Sequence, residues 1–294
     1  MQIFVSTTSL GPGSTNLNDV LSSLSNLEID GYELGSTHTW HASIVNDLEK
    51  FELSRILTHN YFPPEESNLV INLASRDNTL RNNSISHVKH CIDTAKKIGA
   101  ELYTVHPGFL KDVVASSSIP SDETAYDFIF SGIASEYEDA YERMIESIKC
   151  LSDYSLAQGV KLAIETEGSI TNSNTLLMEQ PWEFRRFFKD LSATSIYLNF
   201  NLAHSYISSI KHSFDLKDFI LEFREKFAAV EISHNDGVRD LHMPLVNGSY
   251  IFDWLKYLPD VPLILEFRNA SIYEIQNSID LLKDECIKLS NGKK

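Results

Sequence analysis

Short β-rich runs alternate with amphipathic, helix-like stretches along this chain, and that alternation limits its possible folds most strongly. Strands joined through helical connections form parallel sheets that are covered by helices. Eight such runs occur in 294 residues, and eight strands are enough to close a barrel. The strand candidates are residues 2–7, 31–36, 68–74, 101–106, 160–166, 195–200, 228–233 and 262–267.

The segment after the first strand decides between a barrel and an open, doubly wound sheet. A glycine fingerprint at this point would favour the open sheet. Residues 9–16, SLGPGSTN, contain neither G-x-G-x-x-G nor a Walker sequence. The sequence has no linker, low-complexity segment or repeat beyond the strand–helix unit. We therefore predict an α/β fold, a (β/α)8 TIM barrel, in which residues 1–294 form a single domain.

The stretches between the strands carry helical patterns. Residues 43–57 are predicted to form a helix, and residues 84–99 place their apolar side chains on one helical face. A long helical region is predicted over residues 121–158. Residues 109–140 are rich in Ser, Asp and Tyr, and we interpret them as an insertion after the fourth strand that forms either a lid or a helical cover.

The acidic composition excludes several classes of partner. A net charge of −16 disfavours non-specific attraction to nucleic acid or to an anionic membrane.

No apolar run approaches the ~20 residues of a membrane span, and the N-terminus lacks the pattern of a signal peptide. Cys91, Cys150 and Cys286 form no C-x-x-C motif, which is typical of reduced thiols. We predict a cytoplasmic protein without a membrane partner.

Carboxylates and imidazoles collect at the carboxyl ends of the strand candidates, where the active sites of such barrels lie. Like charges that converge in one barrel mouth repel one another unless a cation lies among them. The sequence therefore predicts a divalent metal site, to which the loop after the seventh strand adds Asp240 and His242. The residues at the strand ends are His106, Glu165, Glu167, Asn199, Asn201, His204, Glu231, Ser233, His234, Glu266 and Arg268.

The ordered succession of these ends resembles the xylose-isomerase-like barrel superfamily, which groups sugar isomerases and epimerases with the type IV AP endonucleases. The segments that carry the resemblance are NLVINLAS (68–75), ELYTVHPG (101–108), LAIETEG (162–168), LNFNLAH (198–204), EISHNDGVRDLHMPLVNG (231–248) and LILEFRN (263–269). Each segment is loose by itself, but together they follow the family order over most of the chain.

The isomerase branch implies one main metal ion and a second group. The positions that resemble its main ligands are Glu165, Asn201, Glu231 and Glu266. Three carboxylates and one amide oxygen form a hard oxygen site, which favours manganese or magnesium over zinc. The second group, His204, Asp240 and His242, contains two imidazoles and could hold zinc, manganese or iron.

The endonuclease branch implies three zinc ions held by nine residues. The ligand types that match are His106, Glu165, His204, Asp240, His242 and Glu266. Three positions depart from this pattern. Glu66 stands where the endonucleases have a histidine before the third strand, Asn201 replaces an aspartate, and Glu231 replaces a histidine of the seventh strand.

The resemblance also implies roles in catalysis and substrate binding. In the epimerases two facing glutamates act as metal ligands and as an acid/base pair, and the corresponding residues are Glu165 and Glu266. His106 is predicted to bind a metal or a substrate hydroxyl. Arg268 is predicted to bind a phosphate or carboxylate through two hydrogen bonds, or else to pair with Glu266 or Glu231.

His38 and Trp40, after the second strand, are predicted to stack on a sugar face, with helix packing as the alternative for Trp40. We thus predict a metal-dependent sugar or sugar-phosphate isomerase or epimerase with a small-molecule substrate, and a homodimer as its assembly. Two alternatives stay open. One is a phosphodiesterase that acts on abasic DNA. The net charge of the chain argues against it, because an acidic protein binds nucleic acid poorly. The other is a ligand-binding barrel without turnover, for which Asn201 is the best argument.

Overall fold

Eight parallel strands close into a barrel in the computed structural model, which describes residues 1–10, 16–66, 69–117, 127–168 and 175–291. In chain order the strands are β1 (Gln2–Ser6), β2 (Gly31–Leu34), β3 (Ile56–His59), β4 (Leu102–Val105), β5 (Asp112–Ser117), β6 (Asp127–Ser131), β7 (Lys161–Glu165), β8 (Ile196–Asn201), β9 (Phe227–Ile232) and β10 (Pro262–Leu265). The pair β5 and β6 forms an antiparallel hairpin, and the other eight strands form the barrel, which closes between β1 and β10.

Helices connect the barrel strands, so the predicted (β/α)8 TIM barrel is confirmed. Their bounds are α1 (Leu17–Leu24), α2 (Ile44–Asp47), α3 (Asn78–Lys97), α4 (Tyr137–Gln158), α5 (Pro181–Asp190), α6 (Leu202–His212), α7 (Leu216–Phe223) and α8 (Ile272–Asn291). Short 3-10 turns cover Thr7–Ser9, Leu48–Lys50, Arg224–Lys226, Tyr250–Asp253 and Leu255–Tyr257. Among the described residues, no helix has the length and apolar character that crossing a membrane requires.

The sequence sets where several helices begin and end. The side chain of Asp77 accepts hydrogen bonds from Thr79 N and Leu80 N at the start of α3, which satisfies donors that have no partner within the helix. The helix α4 is terminated by Gly159, the residue after its last one, whose φ of +76° lies in the left-handed region that glycine adopts without strain.

Side chains inside the barrel form two layers of opposite character. The lower layer is apolar and consists of Phe4, Leu57, Leu102, Ala163, Ala229 and Ile264. Successive inward positions on a strand are two residues apart. One step toward the carboxyl ends, the same strands carry Ser6, His59, Thr104, Glu165, Glu231 and Glu266, all of them buried. The fold thus stacks a polar, ionisable layer directly on an apolar one.

The predicted third strand, residues 68–74, is wrong, because the barrel uses Ile56–His59 as β3. The segment 69–75 is a loop, and its apolar pattern reflects the burial of Ile71 and Leu73 against the core. The side chain of Asn72 ties this loop to Phe109, donating to its carbonyl and accepting from its N–H. The helix predicted over 43–57 is correspondingly shorter, since α2 and one 3-10 turn end at Lys50.

The predicted insertion after the fourth strand contains the hairpin of β5 and β6 rather than only helix. The long helix predicted from residue 121 begins at Tyr137 instead, and residues 118–126 lie outside the described part of the chain. Val113 of this hairpin forms a small apolar cluster with Phe109 and Leu176.

Candidate metal centre and active site

The ends of three strands bring two imidazoles and one carboxylate together. Glu165 ends β7, and its Oε2 lies 2.9 Å from Nε2 of His59 and 3.2 Å from Nε2 of His106. His106 follows β4, and Glu167 Oε1 orients its ring by accepting a hydrogen bond from Nδ1 over 2.7 Å. The ligand-capable atoms of His59, His106 and Glu165 all lie within 4.8 Å of one another. We call these three residues the first cluster.

A second cluster of the same composition comprises His204, Asp240 and His242. The Oδ2 atom of Asp240 lies 3.2 Å from Nε2 of His204 and 2.9 Å from Nε2 of His242. His204 belongs to α6, whereas the other two lie in the loop after β9. Glu165 connects the clusters, because its second oxygen, Oε1, lies 3.2 Å from Nδ1 of His204.

Three further carboxylates surround the other face of His59. Its Nδ1 lies 3.8 Å from Glu33, 3.7 Å from Glu231 and 3.8 Å from Glu266. The predicted convergence of Glu165, Glu231 and Glu266 is therefore present, but an imidazole lies among them. Within the described ranges, no lysine or arginine forms an ion pair with these four glutamates.

Burial and mutual repulsion perturb the pKa values of these groups. Burial alone would lower the pKa of His59, but Glu165, Glu33 and Glu266 raise it to about 10. Burial raises the pKa of Glu33 to about 7. Burial, together with the nearby Glu165, Glu266 and Glu33, also raises the pKa of Glu231 well above its usual range. Burial opposes ionisation of Glu165, yet His106 and His59 hold its pKa well below the usual value.

The same balance applies to the second cluster. Burial favours the neutral form of Asp240, but His242 and His204 lower its pKa. Burial would lower the pKa of His242, whereas Asp240 and Glu266 raise it to about 9. Both clusters therefore join ionised carboxylates to imidazoles that carry protons when no metal ion is bound.

The side-chain amide of Asn201 is oriented differently from what its predicted role as a metal ligand requires. Its Oδ1 accepts a hydrogen bond from the backbone N–H of His204 over 3.0 Å and caps the start of α6. Its Nδ2 donates to Glu165 Oε1 over 3.0 Å and to Glu231 Oε2 over 2.9 Å. Since a metal ion binds an amide through oxygen, Asn201 offers the carboxylates a hydrogen-bond donor and no ligand atom.

The donor atoms of both clusters suit a divalent cation. Both ring nitrogens of His59, Oε2 of Glu165 and Oδ1 of Asp240 are buried without a hydrogen bond of regular geometry to any described residue. Leaving such a group unpaired costs about 1–3 kcal/mol, and a cation between the atoms would remove that cost. Two imidazoles and a carboxylate favour zinc, iron or manganese. This set is richer in nitrogen than the predicted oxygen site for manganese or magnesium.

The predicted substrate-binding residues differ in accessibility. His38 is buried, and its Nε2 lies 2.7 Å from Thr7 Oγ1, so its ring is not free to stack on a sugar. Trp40 is 42 % exposed. The side chain of His106 is 23 % exposed and reaches the mouth. Arg268 is half-buried, and both of its predicted roles stay predictions.

Sequence reasoning missed His59, Glu33 and the role of Asn199, whose Nδ2 donates to Glu231 Oε1 over 2.5 Å. His59 was missed because its strand was placed at residues 68–74. His59 ends β3, whereas Glu66, which was predicted to stand in place of an endonuclease histidine, is an exposed loop residue. The only available signal for Glu33 was a charged residue within the strand sequence GYEL.

Comparisons with known proteins agree with this architecture. An uncharacterised protein of Methanocaldococcus jannaschii is 24% identical over 217 residues, which cover 73% of each chain. The crystal structure of a D-tagatose 3-epimerase-like protein has a TM-score of 0.75 at 17% identity and covers 100% of both chains. An L-ribulose 3-epimerase structure has a TM-score of 0.67 at 13% identity, covering 99% of this chain and 96% of that one. The family description "Xylose isomerase-like TIM barrel" matches residues 27–285, so the chain belongs to the xylose isomerase-like TIM barrel family.

Proposed function

We propose that this protein is a divalent-metal-dependent isomerase or epimerase of a sugar or sugar phosphate. The observation that carries the proposal is the pairing of Glu165 and Glu266 on two sides of His59, at 2.9 Å and 3.8 Å from its ring nitrogens. The fold likeness to a D-tagatose 3-epimerase-like protein and to an L-ribulose 3-epimerase supports the same class of substrate.

The first and second clusters are the groups that we propose as the metal ligands. A bound divalent cation would stabilise the negative charge that develops on the substrate oxygens during isomerisation. His59, His106 and Glu165 form one set of ligands, and the second set is the cluster of His204, Asp240 and His242. In each set, one carboxylate oxygen contacts two ring nitrogens.

The surroundings of the two glutamates suggest different roles in proton transfer. Histidine nitrogens and the Asn201 amide contact both oxygens of Glu165, and its lowered pKa suits a permanently ionised ligand. Glu266 contacts His242 Nδ1 at 3.3 Å through one oxygen, and 12 % of its side chain is exposed. We propose that Glu266 removes and returns the proton at the sugar carbon beside the carbonyl, while Glu165, the other glutamate of the predicted pair, stays ionised as a metal ligand.

Substrate binding is assigned to side chains at the mouth. Trp40 is exposed enough to stack on a sugar face, and His106 can bond a hydroxyl group. Arg268 follows Glu266 by two residues and suits a phosphate or carboxylate group. Because His38 is buried against Thr7, we propose that it shapes the wall behind the substrate. A homodimer, a single domain and a cytoplasmic location stay predictions.

The test is the substitution Glu266→Gln, which keeps size and removes the proton acceptor. The metal-loaded protein is incubated with D-tagatose, L-ribulose and their phosphate esters in D2O, and deuterium incorporation is followed by NMR. We expect a loss of about 100-fold or more in exchange, with unchanged metal content. Glu222→Gln, which removes a surface partner of Arg185, serves as the control. Near-normal exchange in the Glu266 variant would reject the role.

A phosphodiesterase on abasic DNA is the second candidate, and one observation favours it. His59 restores the third-strand histidine of the endonuclease pattern, which leaves departures only at Asn201 and Glu231. The net charge of −16 opposes DNA binding. Cleavage of an abasic duplex by the zinc-loaded protein, without sugar isomerisation, would favour this candidate over the first.

A further inference from the structure

We infer that Asn201 closes the position between Glu165 and Glu231 to metal ions, so that this chain binds cations at two separate clusters and not in one continuous cluster. The inference rests on the metal-binding part of the proposed function. It concerns the number of bound ions, which is measurable without any substrate.

The start of α6 fixes the direction of the Asn201 amide. Oδ1 accepts from the backbone N–H of His204, and the backbone N–H of Asn201 donates to Thr166 Oγ1 over 2.9 Å. A reversed amide would direct its NH2 group at the His204 N–H, so that two donors would face each other. The residue is 1 % exposed, so water cannot compensate for that loss.

The fixed amide occupies the space between the two glutamates. Its two N–H groups point to Glu165 and Glu231, over 3.0 Å and 2.9 Å. Asn199 binds the other oxygen of Glu231, so that both oxygens of this carboxylate accept from amides. A cation at this position would have to displace donor hydrogens that carry partial positive charge.

Unsatisfied atoms lie on either side of this position, and both oxygens of Glu33, near His59, are unsatisfied as well. Oε2 of Glu165 faces the first cluster, and Oδ1 of Asp240 belongs to the second; both are buried without a hydrogen bond among the described residues. In contrast, Oε1 of Glu165 and both oxygens of Glu231 are bonded to amide nitrogens. A third possible group, Glu33, His59 and Glu231, shares His59 with the first cluster, and both Glu231 oxygens already accept from amides. The free capacity to bind a cation is therefore divided between the two clusters.

The substitution Asn201→Asp tests this division. Aspartate caps a helix as well as asparagine does, so one oxygen can keep the bond from His204 N–H. The other oxygen then lies beside Glu165 and Glu231. Without a cation the three carboxylates repel one another, and with a cation they form a new oxygen site.

The experiment uses the full-length protein equilibrated with zinc or manganese, freed of excess metal by gel filtration and analysed by inductively coupled plasma mass spectrometry. We expect about two equivalents per wild-type chain and about three for Asn201→Asp, one for each favourable ligand set. Thermal unfolding in chelator should occur at a lower temperature for the variant than for the wild type, and added metal should raise it more.

Asn199→Asp is the matched control. It also places a carboxylate against Glu231, but the Asn199 amide, unlike that of Asn201, donates to Glu231 and not to Glu165, and it caps no helix. We expect the wild-type metal content in this variant. Three equivalents in the wild type, or an unchanged content in Asn201→Asp, would overturn the inference while leaving the proposed function standing. Metal-free wild-type protein would overturn both. If Asn201→Asp does not fold, the wild-type count alone decides.

Discussion

Replacing His59 by glutamine should destabilise the metal-free protein strongly, because this side chain is the cation among four buried carboxylates. Its Nε2 lies 2.9 Å from Glu165, and its Nδ1 lies 3.7–3.8 Å from Glu33, Glu231 and Glu266. Glutamine approximates the volume of histidine and keeps a donor, so the substitution removes mainly the positive charge. Those of the four carboxylates that are ionised then repel one another without compensation.

The pKa of His59 gives the size of this effect. A rise from 6.5 to about 10 corresponds to roughly 5 kcal/mol, at about 1.4 kcal/mol for each pH unit. Breaking a buried pair by removing one partner costs about 3–5 kcal/mol, which agrees. Since the folded-state pKa is raised, this stabilisation is complete below the unfolded pKa of about 6.5. It declines as the pH rises toward 10.

The assay is urea unfolding of both proteins in chelator, between about pH 6 and pH 10, where the His59 contribution changes. The difference in free energy of unfolding should be largest near pH 6 and shrink toward pH 10. His87→Gln is the control: His87 is also buried beside a carboxylate, that of Glu65, but burial lowers its pKa, so no such trend is expected. A pH-independent difference for His59, or one below about 1 kcal/mol, would refute the reasoning.

Two further predictions concern the second cluster and the substrate. In Gly168→Ala, the added Cβ would lie 2.2 Å from the carbonyl oxygen of His204. This clash should lower the free energy of unfolding by about 1–3 kcal/mol and weaken zinc binding measured by calorimetry. A wild-type zinc affinity would contradict this prediction. In steady-state kinetics, Arg268→Met should raise KM for a phosphorylated ketose by about tenfold or more and leave KM for the free sugar nearly unchanged. Equal effects on both substrates would exclude phosphate binding by Arg268.

The alternation of strands and helices predicted the barrel because seven of its strands are apolar runs that end near polar residues. The third strand failed for a physical reason. The strand β3 has four residues and ends in an inward-facing histidine, whereas residues 69–74 are apolar because a loop packs on the core. Hydrophobic patterns report burial, and burial is not restricted to strands.

The rule that sites lie at strand ends predicted most of the ionisable residues that converge in the mouth. It could not identify Glu33, because an inward and an outward glutamate look alike in the sequence of a short strand. It also could not orient the amide of Asn201. That orientation follows from the start of α6 immediately after β8, and only the three-dimensional structure shows which atom the helix uses.

The apolar layer beneath the ionisable one blocks the interior of the barrel on that side, so that the ionisable layer is reached from the carboxyl ends of the strands. Phe4, Leu57 and Ile264 separate the glutamates and histidines from the far end of the barrel. The proposed metal ions and substrates would therefore enter and leave by the same end. Whatever covers that opening controls at once how long a metal stays, how quickly buried protons exchange with solvent, and which molecules reach Glu266.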